Sequence, residues 1–268
     1  MGSSIGTPLL WAGFGVLVLA MLALDLGVFN RRAHVVRPRE ALIWSLVWIG
    51  LGMGFNLALY LRAGAQPGLE FLTGYLIEKA LSVDNIFVFL LIFSYFAVPA
   101  ELQHRVLFWG VLGAIVLRGL FIFAGAALLH RFHWILFLFG AFLVFTGIRI
   151  LLQKHESMHP ERNPFLRLFR RWVPSVPEYH GQRFFVFQDG RRYATPLLAV
   201  LVAVEATDLV FAVDSIPAIF AVTEDPFIVF TSNIFAILGL RSLFFLVAGM
   251  VEKFSYLKVG LSGVLVFV

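Results

Sequence analysis

The sequence predicts an all-α protein, a polytopic transmembrane helix bundle with two inverted-topology three-helix repeats. Three observations carry that prediction. Of the 268 residues, 60% are hydrophobic and only 14% charged, against roughly 45–50% and 25% in soluble domains. The apolar residues fall into runs of the ~20 needed to cross a hydrocarbon core of about 30 Å. An acidic motif also occurs twice, in runs whose order implies opposite directions through the bilayer.

Read in order, the runs lie near 9–29, 41–60, 71–96, 106–129, 134–152, 195–222, 227–251 and 256–268. The first is too long for a signal peptide and has no small-residue cleavage site, so it reads as a retained span. Residues 1–70 then hold two amino-terminal helices and 71–152 the first three-helix repeat. Residues 153–194 form a basic loop, and 195–268 the second, inverted repeat. The final run, LKVGLSGVLVFV, stops in mid-pattern, which leaves truncation at the carboxyl end open. Within the basic loop, FFVFQDGRRYATP alternates around Asp189-Gly190, a hairpin signal.

Charge placement excludes one class and orients the chain. The net charge of +5 sits in the loops between apolar runs, so it reads as membrane topology and not as a nucleic-acid face. Odd-numbered loops hold 15 Lys and Arg, including Arg31, Arg32, Arg37 and Arg39, whereas even-numbered loops hold only Arg62 and Arg131. Positive-inside bias puts the amino terminus outside and loop 153–194 in the cytoplasm. Cysteine is absent, which removes disulfides and thiolate ligands.

The repeat is explicit. Glu78-Lys-Ala-Leu-Ser-Val-Asp84-Asn85-Ile86 aligns with Asp208-Leu-Val-Phe-Ala-Val-Asp214-Ser215-Ile216. The following run matches too, AIVLRGLF from Ala114 against AILGLRSLF from Ala236, with one insertion. The third run goes from outside to inside and the sixth returns, so the halves are inverted. Inverted repeats with a site at their interface are a transporter architecture.

Acids inside a membrane need partners. Each costs about 2.5–3.5 kcal/mol at a helix centre on insertion scales, and Glu78, Asp84, Glu205, Asp208 and Asp214 all fall within the runs. Lys79, Arg118 and Arg241 could neutralise three of these five in structural ion pairs. Two negative charges would remain, which a divalent cation would balance. The carboxylates, the Asn85 amide and the Ser82 and Ser215 hydroxyls form an all-oxygen set. Such sets suit Mg, Ca and Mn, whereas Zn and Cu sites usually recruit His or Cys.

Helix geometry limits how these groups converge. At 100° per residue Glu78 and Asn85 share a face, as do Asp208 and Ser215, and Glu205 stands one turn from Asp208. Glu78 and Asp84 lie about 120° apart on a straight helix, so a single ion would require unwinding or a broad cavity. Pro217 supplies a reason for a kink beside Asp214. Asp25, in the last turn of the first run, is a lesser candidate, as apt to face interfacial water as to join a pathway. Asn56 and Asn233 read as amides that hydrogen-bond between helices.

The stretches GYLIEKALSVDNIFVF, from Gly74, and VEATDLVFAVDSIPAIFAVTEDPFIVFTSNIFAILGLR, from Val204, strongly resemble the TerC family of bacterial membrane proteins, and its Alx-type branch most closely. The likeness extends to GTPLLWAGF at the amino end. The resemblance implies a manganese exporter of the inner membrane, with Mn²⁺ as transported substrate and no organic cofactor. It maps the family's acidic positions onto Glu78, Asp84, Glu205, Asp208 and Asp214, with Asn85 and Ser215 beside them. The expected partners are a divalent ion and the lipid bilayer, with proton coupling as an addition. A metal-sensing or scaffold protein without transport and a metal-dependent membrane enzyme are the competing readings. No Ser/His arrangement supports the enzyme.

Overall fold

The computed structural model describes residues 4–24, 36–132, 134–152, 173–188 and 190–253. Their helices are α1 (Pro8–Leu24), α2 (Pro38–Ala63), α3 (Ala65–Tyr95), α4 (Ala100–Arg131) and α5 (Ile135–Leu152). After a hairpin of β1 (Phe185–Gln188) and β2 (Arg191–Ala194) come α6 (Pro196–Phe220), α7 (Pro226–Leu238) and α8 (Leu240–Lys253). Proline opens α2, α6 and α7, where a missing N–H costs no helical bond. The seven apolar runs from 9 to 251 correspond to these helices. The run at 256–268 and Asp25 lie outside the described residues.

Among the described residues, four helical segments are long and apolar enough to cross a membrane: α2, α4, α6 and Pro226–Gly249. Any stretch of α3 long enough to span includes Glu78, Lys79 and either Glu70 or Asp84, so hydropathy alone undervalues it. The outer surface is apolar, with Leu9 82% and Phe137 81% exposed. Exposure of that extent fits lipid as the solvent.

The structure departs from the sequence reading at two breaks. Gly64, at φ +100°, turns the chain from α2 into α3 in one residue, so α3 begins six residues before the expected start. Gly239 divides the expected seventh run into α7 and α8. A Cβ there would stand 2.8 Å from Lys79 Nζ and 3.1 Å from Trp48 Cβ. Lys79 Nζ donates to the Ala236 carbonyl (3.3 Å), one of the acceptors that a helix end leaves open. Pro217, by contrast, does not interrupt α6, which remains one helix through residue 220.

Packing is reciprocal between the halves. α3 lies against α7 and α6, α4 against α6 and α7, and α2 across α3 and α8. α3 buries Phe71, Tyr75, Glu78, Ser82, Asn85 and Phe89, one stripe at helical spacing. α6 does the same through Val200, Val204, Asp208, Ala212, Ser215 and Ile219. Phenylalanines fill the joint between α1, α2, α3 and α7: Phe55 lies 5.0 Å from Phe235 and 5.3 Å from Phe71 between ring centroids. This accounts for part of the use of 30 Phe in the chain.

Where α3, α6 and α7 meet, Gly74 leaves room for its neighbours. A Cβ would lie 2.9 Å from Ser232 Oγ and 3.2 Å from Ile219 Cγ2. Close approach through small residues is how membrane helices gain contact. Gly74→Leu is therefore expected to destabilise by about 1–3 kcal/mol, read as a lower midpoint of thermal unfolding in detergent. A midpoint equal to wild type would show a looser joint than the one described.

Candidate functional site

The centre of the bundle holds a charged triad. Arg118 of α4 and Glu78 of α3 are completely buried, and Asp208 of α6 is 3% exposed. Arg118 Nε and Nη2 donate to Asp208 Oδ2 and Oδ1 at 3.0 and 2.8 Å, a bidentate fork. Arg118 Nη1 donates to Glu78 Oε1. Asn233 of α7 closes the ring: its Nδ2 donates to Glu78 Oε2 at 3.0 Å, and its Oδ1 accepts from Arg118 Nη1 at 3.4 Å. Four helices contribute one polar side chain each.

The sequence placed Glu78 and Asp208 at corresponding positions of the two motif copies, and the structure brings them to one guanidinium. Their helix-face companions Asn85 and Ser215 are buried on the same stripes. Ser82 Oγ and Ser215 Oγ are buried with no hydrogen-bond partner among the described residues. Both oxygens point to unused polar capacity close to the triad's helices.

Glu205 flanks the triad. One turn before Asp208, its carboxylate fills the notch that Gly113 leaves in α4. A Cβ on Gly113 would overlap it, standing 2.7 Å from Oε2. That Oε2 is buried and has no donor among the described residues. Two carboxylates against one guanidinium already leave the triad with an excess negative charge, and an ionised Glu205 would add a second.

The full set of expected ligands does not converge in this arrangement. Asp84 is exposed on α3 and Asp214 half-buried on α6, each off the stripe that carries its neighbour. Among the described residues no three acids or histidines come together. The cause is the 120° between Glu78 and Asp84 on an uninterrupted helix. Of the three bases weighed as partners for the acids, Arg118 is the one that joins Glu78 and Asp208, while Lys79 serves the end of α7. Arg118 is thus the ion-pair partner and Asn233 the interhelix amide that the sequence reading expected, but neither was counted there among the site residues. An arginine in mid-run within AIVLRGLF was the available signal.

Arg241, the counterpart of Arg118 in the second copy, sits where three narrow cavities meet. One is lined by Asp208, Gly110, Ala114, Val204 and Leu240, another by Glu40, Trp44, His104 and Ser242. Arg241 Nη1 lies 3.2 Å from His104 Nε2. One of these spaces borders the amino end of α2 and another borders Asp208 of the triad.

Long apolar helices with a lipid-compatible exterior and an enclosed ionic cluster define a multi-pass integral membrane protein. A match to the integral membrane protein TerC family covers residues 63–268, and the chain belongs to that family. It is 62% identical over 265 residues to the membrane protein STKORF319 of Myxococcus xanthus, covering 99% of this chain and 83% of the relative. It is 54% identical over 275 residues to a protein of Escherichia coli (strain K12), covering 99% and 86%. That relative carries the name Alx and a provisional description as a membrane-bound redox modulator. A membrane protein of Rickettsia bellii is 42% identical over 258 residues, 96% of this chain and 85% of its own. No solved structure matches the chain.

Proposed function

We propose that this chain is a secondary transporter that exports a divalent metal cation, manganese first among them, across the bacterial inner membrane. The observation that carries this reading is the meeting of Glu78 and Asp208, equivalent residues of the two motif copies, on one buried cation. A pair of carboxylates that binds a guanidinium between two halves has the charge and the oxygen chemistry to bind a hard divalent ion in its place. Arg118 is then the resting counter-ion. Displacing it would expose Glu78, Asp208 and the Asn233 carbonyl oxygen to the ion, with the Ser82 and Ser215 hydroxyls in reserve.

The two copies act as inverted repeats whose relative rocking exposes the pair alternately to each side. The bias of Lys and Arg towards the odd-numbered loops supports an amino terminus outside and the Arg241 cavities towards the cytoplasmic side. Protons exchanged at the carboxylates would supply the coupling. The relatives' description as a redox modulator finds no thiol to act through in this chain, whose sequence has no cysteine.

A scaffold reading has its own support, because Arg118 satisfies Glu78 and Asp208 so fully. Flux separates the two. In proteoliposomes the wild-type chain is expected to move Mn²⁺, and the Glu78→Gln/Asp208→Asn double variant to lose more than about 100-fold in rate, beyond what outer-shell changes cost. Asp84→Asn/Asp214→Asn tests the more distant acids in the same assay. Equal Mn²⁺ flux from wild type and the triad variant would end the transport reading. Metal-dependent stabilisation without flux would establish the scaffold.

A further inference from the structure

The hairpin between α5 and α6 presents an unusual face. In the register Phe185↔Ala194 and Phe187↔Arg192, cross-strand partners share a side of the ribbon. On one side Val186 is buried near the base of the ribbon, whereas Gln188 and Arg191 are exposed at its tip. The other side carries Phe185, 39% exposed, and Phe187, 75% exposed. The Arg192 guanidinium lies over both rings, 4.3 Å from the Phe185 centroid and 5.8 Å from that of Phe187. Arg183 and Arg191 are exposed beside them. Apolar rings turned outward around a cation are costly in water and natural at a lipid headgroup layer, where one side chain end is apolar and the surroundings charged.

The hairpin is also fixed at that layer. β2 leads directly into α6 through Thr195, whose hydroxyl donates to the Arg183 carbonyl at 2.7 Å. Tyr179 Oη donates to the Phe96 carbonyl at the end of α3 (2.8 Å). Arg105, near the start of α4, donates to Gln182 Oε1 (2.9 Å) and stacks over Phe184. Phe184 in turn packs against Trp109, itself 42% exposed on α4. Three membrane helices thus hold the ribbon at their common end, where exposed Trp and Tyr mark an interface.

We propose that the Phe185, Phe187 and Arg192 face of this hairpin is a binding site for anionic phospholipid in the adjoining leaflet. The two rings enter the boundary between headgroups and acyl chains. Arg192, held by the rings, is presented to a lipid phosphate, with Arg191 and Arg183 adding to the local positive field. One basic group near a membrane surface enriches an anionic lipid by roughly fivefold, so selection for negative headgroups is the property to measure.

The absence of cysteine makes the test direct. The full chain bearing Gln188→Cys, labelled with bimane, is placed in nanodiscs containing nitroxide-headgroup phosphatidylglycerol or nitroxide-headgroup phosphatidylcholine at equal fraction. Several-fold stronger quenching by the anionic lipid is expected, and its loss on adding Arg192→Gln. Phe185→Ser/Phe187→Ser is expected to weaken quenching by both lipids. Far-ultraviolet dichroism of each variant confirms that the helices persist. Equal quenching by the two lipids overturns the proposal. So does a label fully open to aqueous iodide, or one whose signal depends on protein concentration, which would assign the face to a second copy of the chain.

Discussion

Arg118→Leu is expected to destabilise the protein by about 3–5 kcal/mol, the cost of stripping the partner from a buried charge pair. Two carboxylates would be left in the bundle interior, with the Asn233 amide still donating to Glu78. Losing Arg118 removes the fork that takes both carboxylate oxygens of Asp208. Lys at the same position would restore the charge but not the planar pair of donors, so Arg118→Lys should recover only part of the loss. Neutralising all three groups together, Arg118→Leu with Glu78→Gln and Asp208→Asn, should cost less than Arg118→Leu alone. A buried ion cluster contributes little net stability once its desolvation is counted. The order of the unfolding midpoints in detergent checks this. A triple variant less stable than Arg118→Leu would mean that the triad is no ionic unit.

The same residues mark what the sequence could and could not reveal. The helical register of the motifs was legible: Glu78 with Asn85, and Asp208 with Ser215, fall on buried faces because seven residues complete two turns, whereas Asp84 falls outside. The hairpin was legible from its alternation, and Gly190 occupies the positive φ that such a turn demands. The destination of Arg118 was not, since choosing Glu78 and Asp208 together depends on how α4 crosses α3 and α6. Sequence spacing carries no record of that crossing. The break at Gly239 was visible only as a one-residue insertion, because a lone glycine costs a membrane helix about 1 kcal/mol. A contact from Lys79 to Ala236, 157 residues apart in sequence, accompanies the interruption. Pro217 erred in the other direction: membrane helices tolerate proline when neighbours and local adjustments satisfy the freed groups.

A second large effect is expected from one methyl group. Gly113→Ala places a Cβ where the Glu205 carboxylate now lies, and that carboxylate must leave the notch. The helix itself gains, because alanine is favoured over glycine by up to about 1 kcal/mol in a helix interior. The displaced atoms are the far end of a flexible side chain, so the net change in stability should stay within about 1 kcal/mol. Transport should respond quite differently. On the proposed function, Glu205 stands one turn from Asp208 with its carboxylate against the triad's helices, so moving it should slow Mn²⁺ flux by about tenfold or more, equivalent to at least about 1.4 kcal/mol at the barrier. Glu205→Gln, which keeps the shape and removes the carboxyl group, should slow flux similarly. Combining the two should add little, since each disables the same carboxylate. Flux in Gly113→Ala equal to wild type, with Glu205→Gln impaired, would show that Glu205 acts from a position other than this notch. Unchanged flux in both would remove Glu205 from the proposed pathway.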